Sequence, residues 1–174
     1  MNYSKEVIII DNKLMNYKIN LIIENNIFQK NLSDIEALEK HREFCLHDLQ
    51  HFLDVARIMY IINLENIGNL PKHIIYATAL LHDIGRAKQY ENGTPHDIAS
   101  MQIAKNILFE CNYDTKEIDE ILEAIAKHRN DTGKPNSLTY LLYKCDKLSR
   151  NCIYCKATVN CNWKENKKNL KITY

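Results

Sequence analysis

The sequence is short of chain breakers: four Gly and three Pro in 174 residues. So few leave little room for the frequent tight turns of short-stranded sandwiches or barrels, and they favour long helices. No apolar run approaches the roughly 18 residues that a membrane helix needs. The stretch Val7–Ile10 is too short for a secretory leader and no small-residue cleavage site follows it, so a cytoplasmic location is expected. Neither charge dominates. The 23 Lys and Arg against 22 Asp and Glu give a net +1, which selects for no acidic partner. The end is locally basic, with five Lys and one Glu from Lys156 to Tyr174, and reads as a solvated tail before a nucleic-acid patch. Also missing are internal repeats, low-complexity blocks, an interdomain linker and a glycine-rich triphosphate loop. At this length one domain with a proper core is the simplest reading.

What is present is helical periodicity. Residues 1–32 are the least legible: Val7–Ile10 is a short strand or disordered, and Leu14–Ile27 a helix. Ser33-Asp34-Ile35-Glu36 has a capping-box pattern, predicting a helix from there to about Phe44. Asp48 is the N-cap of the next, to about Asn66, with His51, Val55, Ile58 and Ile62 on one face. Pro71 opens the helix leading to His82. Glu91-Asn92-Gly93 is a turn, and Thr94-Pro95 starts a helix to about Cys111 that lines His96 up with Ser100, Ile103 and Ile107. A helix from Thr115 carries His128 on its apolar face, and the last, Ser137–Arg150, carries Leu142, Tyr143 and Asp146 on one side. The fold class is all-α.

Four His and two acids therefore sit on inward faces of separate helices, or at their ends. Ionisable groups buried without a partner cost several kcal/mol, so a set like this is paired or coordinated. A lone core histidine is usually just hydrogen-bonded, but six coincidences are a poor explanation. Imidazole and carboxylate suit divalent Fe, Mn, Zn, Co or Ni.

The pattern His51 … His82-Asp83 … Asp146 resembles the HD-domain superfamily of metal-dependent phosphohydrolases, an all-α fold of at least five helices around a His/Asp metal site. His51-Phe52-Leu53-Asp54-Val55-Ala56 looks like its first-His helix, and Leu80-Leu81-His82-Asp83-Ile84-Gly85-Arg86 like its name-giving motif. Pro95-His96-Asp97-Ile98-Ala99-Ser100 and Ile125-Ala126-Lys127-His128-Arg129 are similar to the extra His motifs of two-metal members, and Cys145-Asp146-Lys147-Leu148 to the closing Asp motif. The resemblance covers roughly residues 45–150, and the expected layout is a partly helical N-terminal extension (1–32), an HD domain (33–150) and a Cys/Lys-rich tail (151–174) packed on the same domain. It implies that His51, His82, Asp83 and Asp146 hold one metal, with His96, His128 and a bridging Asp83 holding a second. In a one-metal reading His96 and His128 line the substrate pocket instead.

By the same resemblance Arg86 binds phosphate or acts as an electrophile, where its bland alternative is a surface salt bridge. Arg129 and Lys147, each beside a ligand position, are weaker phosphate candidates. His47, one turn before His51, is either a substrate contact or part of a helix cap. The implied reaction is hydrolysis of a phosphoester or phosphoanhydride of a small molecule, with a nucleotide as the expected substrate class, and Asp83 or Asp146 orienting or deprotonating the water. No GYP motif of cyclic-di-GMP enzymes is present, and Gly85-Arg86 replaces the Glu-Asp of alarmone hydrolases. Two other classes stay open: a di-iron oxygenase, and a non-catalytic sensor or partner-binding module. A homo-oligomer stays open as well.

Beyond the resemblance lies Cys152-Ile153-Tyr154-Cys155, followed by Cys161. A C-x₂-C pair is a common zinc half-site, so a separate Zn²⁺ at Cys152, Cys155 and Cys161 is one expectation, with Cys145, Cys45 or a His as fourth ligand. An iron–sulfur cluster and three plain thiols are the alternatives.

Overall fold

The computed structural model describes the backbone of residues 3–66, 68–130 and 133–174, with side chains from residue 13 on. Among the described residues all regular structure is helical. The helices are α1 (Tyr3–Glu24), α2 (Asn26–Glu39), α3 (Leu49–Glu65), α4 (Lys72–Leu81), α5 (Arg86–Asn92), α6 (His96–Glu110), α7 (Thr115–Lys127) and α8 (Leu138–Leu148). A single 3₁₀ turn, Glu165–Lys167, lies in an otherwise irregular tail.

The helix starts follow local chemistry. Asp48 accepts from the His51 amide at 2.8 Å, Asp114 and Glu117 form a reciprocal capping box, and Ser137 accepts from the Tyr140 amide at 3.3 Å. The N-terminal third departs from the sequence expectation. Val7–Ile10 is neither strand nor disordered but lies within α1, and the helix expected over Leu14–Ile27 breaks at Asn25. Asn25 takes the Ile27 and Phe28 amides at 2.8 and 3.2 Å, so α2 starts there and Ser33 falls in its interior. The capping-box reading of Ser33 and the extension to Phe44 are thus corrected: an earlier cap forms first, and the helix stops at Glu39. The short α5 was also not foreseen. It ends at Gly93, whose left-handed φ of 78° suits a glycine.

One core unites the chain. Phe52, Val55, Met59 and Ile62 of α3 meet Ile75 and Leu80 of α4, Ile107 and Leu108 of α6, Ile121 and Ile125 of α7, and Leu141 and Leu142 of α8. Ile22 of α1 with Phe28 and Ile35 of α2 joins the same cluster, and α2 runs straight through residues 32 and 33. Burying each such side chain contributes about 1.5–3 kcal/mol. Phe52 is fully buried with its ring 5.5 Å from that of His82, so the core forms the floor beneath the His/Asp cluster.

Candidate metal centre

The centre is built where helices end. After Leu81 the chain leaves α4 in a tight turn, with the Arg86 amide donating to the Asp83 carbonyl at 3.0 Å, and this turn aims His82 and Asp83 at the same place. His51 comes from the first turn of α3, His96 is the first residue of α6, His128 caps α7, and Asp146 sits in the last turn of α8. Two ligand-ready groups result: His51, His82, Asp83 and Asp146, then Asp83, His96 and His128. Within each, the candidate ligand atoms all lie within 4.8 Å of one another.

All four rings are held through Nδ1 and turn Nε2 toward the centre, where that of His51 also meets Arg150. Nδ1 of His82 and of His128 donates to the Ala79 and Ile125 carbonyls at 2.7 and 2.6 Å. Nδ1 of His96 meets Gln89 Oε1 at 3.0 Å, and Nδ1 of His51 meets Ser149 Oγ at 3.1 Å. Fixing Nδ1 leaves Nε2 as the inward lone pair, the arrangement that orients metal-binding imidazoles. Asp83 is the hub: Oδ1 lies 3.3 Å from His96 Nε2 and 3.6 Å from His128 Nε2, and Oδ2 lies 3.5 Å from His82 Nε2. Asp146 Oδ1 lies 3.4 and 3.8 Å from Nε2 of His51 and His82.

The protonation states suit a cation. Burial is the largest influence throughout. It pulls His51 and His96 down to about 4, despite the acids beside them, so both are neutral at pH 7. His128 goes the other way: burial lowers it, but the Asp83 carboxylate, the Ile125 carbonyl and Asp146 together more than offset burial and raise it. Burial pushes Asp83 and Asp146 up, but the surrounding imidazoles and guanidiniums more than offset it and hold both carboxyls well below 3.8. Three buried polar atoms of the centre, His82 Nε2, Asp83 Oδ1 and Arg86 Nε, have no hydrogen-bond partner. His96 and His128 face each other through Nε2 at 3.3 Å, two lone pairs when both rings are neutral. Orphaned acceptors and opposed lone pairs at nearly full burial are costly alone and are satisfied together by divalent cations. The residues present fit the metal.

Each residue singled out from sequence has a place. Arg86 is folded onto the centre, its Nε 3.2 Å from Asp83 Oδ1 and a terminal nitrogen 3.2 Å from Gln89 Oε1. Arg129 is half-exposed and faces Asp97 at 3.6 Å. Lys147 donates to the Tyr143 carbonyl and lies over the Tyr143 ring, 3.6 Å from its centroid. His47 faces the centre, with Nε2 3.6 Å from Asp83 Oδ2, while its Nδ1 meets buried Glu39 at 2.6 Å. Tyr90 donates to the same Glu39 oxygen. Burial would raise Glu39, but these bonds hold it at about 2.

Sequence reasoning passed over Arg150, Ser149, Gln89 and Glu39. Arg150 bridges the site, its NH2 3.1 Å from His51 Nε2 and 3.3 Å from Asp146 Oδ1, with NH1 on the Leu46 carbonyl at 2.9 Å. Its signal was available: Arg150 follows Asp146 by four, one helical turn on the same face. Glu39 left no such signal, because its partner lies across an irregular loop.

The HD domain family model matches residues 48–151. An uncharacterized protein of Clostridium beijerinckii is 48% identical over 157 residues, covering 90% of this chain and 99% of the relative. Ribonuclease Y of Oleidesulfovibrio alaskensis is 31% identical over 112 residues, 64% of this chain and 20% of the ribonuclease. That of Acetivibrio thermocellus is 32% identical over 104 residues, 58% of this chain and 17% of the ribonuclease. The chain thus spans at most a fifth of these ribonucleases. The crystal structure of a predicted HD superfamily hydrolase from an uncultured Thermotogales bacterium covers 82% of this chain and 81% of its own, with a TM-score of 0.58 and 21% identity, a likeness of fold.

Proposed function

The chain belongs to the HD-domain family, and on that premise we propose that its His/Asp centre is the active site of a metal-dependent hydrolase. The reaction is cleavage of a phosphoester or phosphoanhydride of a small molecule. The observation that carries this reading is Asp83: 1% exposed, ionised, facing His82 with Oδ2 and His96 and His128 with Oδ1, and with Oδ1 lacking a hydrogen-bond partner. His51, His82, Asp83 and Asp146 would hold one ion, and Asp83, His96 and His128 a second. Bound there, divalent ions would make a water acidic near neutral pH and neutralise phosphoryl charge.

The chain's own groups do the rest. Asp146 is 20% exposed and uses Oδ1 toward His51, His82 and Arg150, so Oδ2 is assigned to orient the attacking water and take its proton. Arg86 and Arg150 stand on opposite carboxylates of the site and are assigned to the phosphoryl oxygens, as preorganised charge where charge develops. Likeness to ribonuclease Y over 64% of the chain supports a nucleotide as substrate class. Metal-loaded wild type should hydrolyse members of a panel of phosphomonoesters, phosphodiesters and nucleotides. A panel left untouched with Mn²⁺, Ni²⁺ and Fe²⁺, alongside oxygen uptake by the iron-loaded protein, would replace hydrolysis with oxygenase chemistry.

A further inference from the structure

Residues 151–164 fold without a helix of their own. Tyr154 and Val159 are 87% and 95% exposed, and Trp163 is partly covered where it lines a cavity. Cys152 and Ala157 are the buried ones. Short local bonds fold the segment into successive turns: the Cys155 amide to the Cys152 carbonyl at 3.4 Å, the Thr158 amide to the Cys155 carbonyl at 3.2 Å, and Thr158 Oγ1 to the latter at 2.6 Å. Such turns give curvature but no stability against the entropy of an ordered chain. A few side-chain bonds tie the tail down, Asn160 to Glu43 at 2.7 Å and Asn169 to the Arg150 carbonyl at 2.9 Å, and all six cysteines are free.

The turns gather the thiols. Cys152, Cys155 and Cys161 line one cavity of about 280 Å³ together with Cys45, from the loop between α2 and α3 more than a hundred residues earlier. Arg150 and Lys168 line the same cavity and set positive charge beside the thiols. Cys145, the other sequence candidate, is fully buried in the core and does not line this cavity. His47 lines it, but its two ring nitrogens face Glu39 and Asp83, which leaves Cys45 as the fourth thiol of the cavity. A single tetrahedral Zn²⁺ with bonds of about 2.3 Å needs sulfurs about 3.8 Å apart. Among the described residues only the two His/Asp groups bring three ligand atoms within 4.8 Å of one another, so these sulfurs stand wider. A cluster in which each thiolate binds a different iron accepts that wider spacing and fills more of the cavity.

We propose that Cys45, Cys152, Cys155 and Cys161 hold an iron–sulfur cluster of the four-cysteine type. The cluster staples the tail to the α2–α3 loop beside the active site. Arg150 lines the same cavity and reaches back to Asp146 and His51, so the staple fixes the stretch that positions Arg150.

The test is iron, zinc and acid-labile sulfide analysis of anaerobically purified full-length protein, with visible absorption and electron paramagnetic resonance after reduction. Wild type should carry about four sulfides per chain, as expected of a [4Fe–4S] centre. Cys45→Ser, Cys155→Ser and Cys161→Ser should each lose sulfide and the visible band. Asp83→Ala should keep both while losing its other metal, which separates this centre from the His/Asp one. Cys111→Ser, a buried thiol away from the cavity, should match wild type. Should a cysteine variant fail to fold, sulfide content of wild type decides alone. Wild type without sulfide after anaerobic iron and sulfide reconstitution, or with one Zn²⁺ bound at the thiols, would overturn the cluster.

Discussion

Replacing Gly85 by Ala is the sharpest test of how the centre is assembled. Gly85 has an ordinary φ of −87°, so an alanine costs nothing in backbone conformation. The cost is space. A Cβ there would lie 2.3 Å from the Ser100 amide nitrogen and 2.7 Å from the Ala99 carbonyl carbon, both backbone atoms of α6. Ordinary contact begins at about 3.4 Å, so α6 must retreat by about 1 Å. Moving it also strains the bond from the Gly85 amide to Ser100 Oγ, now 2.9 Å. Overpacking of this kind costs about 1–3 kcal/mol. In a chain of this size that lowers Tm by roughly 2–12 °C. The same retreat carries His96, at the start of α6, away from Asp83 Oδ1, now 3.3 Å distant. A displacement of about 1 Å at a reacting centre can cost 10²-fold in rate. Calorimetry, metal analysis and phosphoester turnover should show a lowered Tm, loss of metal from the His96/His128 side first, and activity down about 100-fold. Gly85→Ala with wild-type metal content and turnover would refute the close-approach argument, whatever its Tm.

Further outcomes follow from named contacts. Arg150→Met keeps the length and removes the charge between His51 and Asp146, and should lower kcat by about 10²–10³, the loss typical of one preorganised donor; an unchanged kcat would remove Arg150 from the site. Glu39→Gln turns an acceptor oxygen into a donor against His47 or Tyr90, and should cost about 1–3 kcal/mol in chemical denaturation. Away from the centre, burial raises Glu117, but Lys18 at 2.8 Å and His73 at 2.7 Å outweigh it and hold it below its ordinary 4.5. A depressed carboxyl contributes stability that is present above about pH 4.5 and lost as pH falls through its folded-state value. Melting curves from pH 6 to pH 3 should therefore fall more steeply for wild type than for Glu117→Gln, and parallel curves would contradict the assignment.

The helices carrying the centre were legible because burial imprinted a period on them: Val55, Ile58 and Ile62 after His51, and Ile121, Ala124 and Ile125 before His128. Spacing could also be read for the six His/Asp residues, since each falls at an inward position of its own helix or at its end. What sequence could not give was pairing across loops. Glu39 meets His47 through an irregular turn with no periodicity, and spacing alone did not choose among Cys145, Cys45 and a His, of which Cys45 lines the cavity of the tail cysteines. The capping pattern at Ser33 misled because Asn25 starts the helix earlier, a competition between local caps that only packing of Phe28 and Ile35 decides. Arg150 sat in plain view one turn past Asp146, hidden by its place at a helix end.

The central claim is that Asp83 is the shared ligand and reactive hub of a hydrolytic metal centre. The most direct measurement is metal content together with phosphoester turnover of purified wild type and Asp83→Ala. Wild type should show metal and turnover, with both lost from the His/Asp centre in the variant. Asp83→Ala that binds the same metal and hydrolyses phosphoesters as fast as wild type would contradict it.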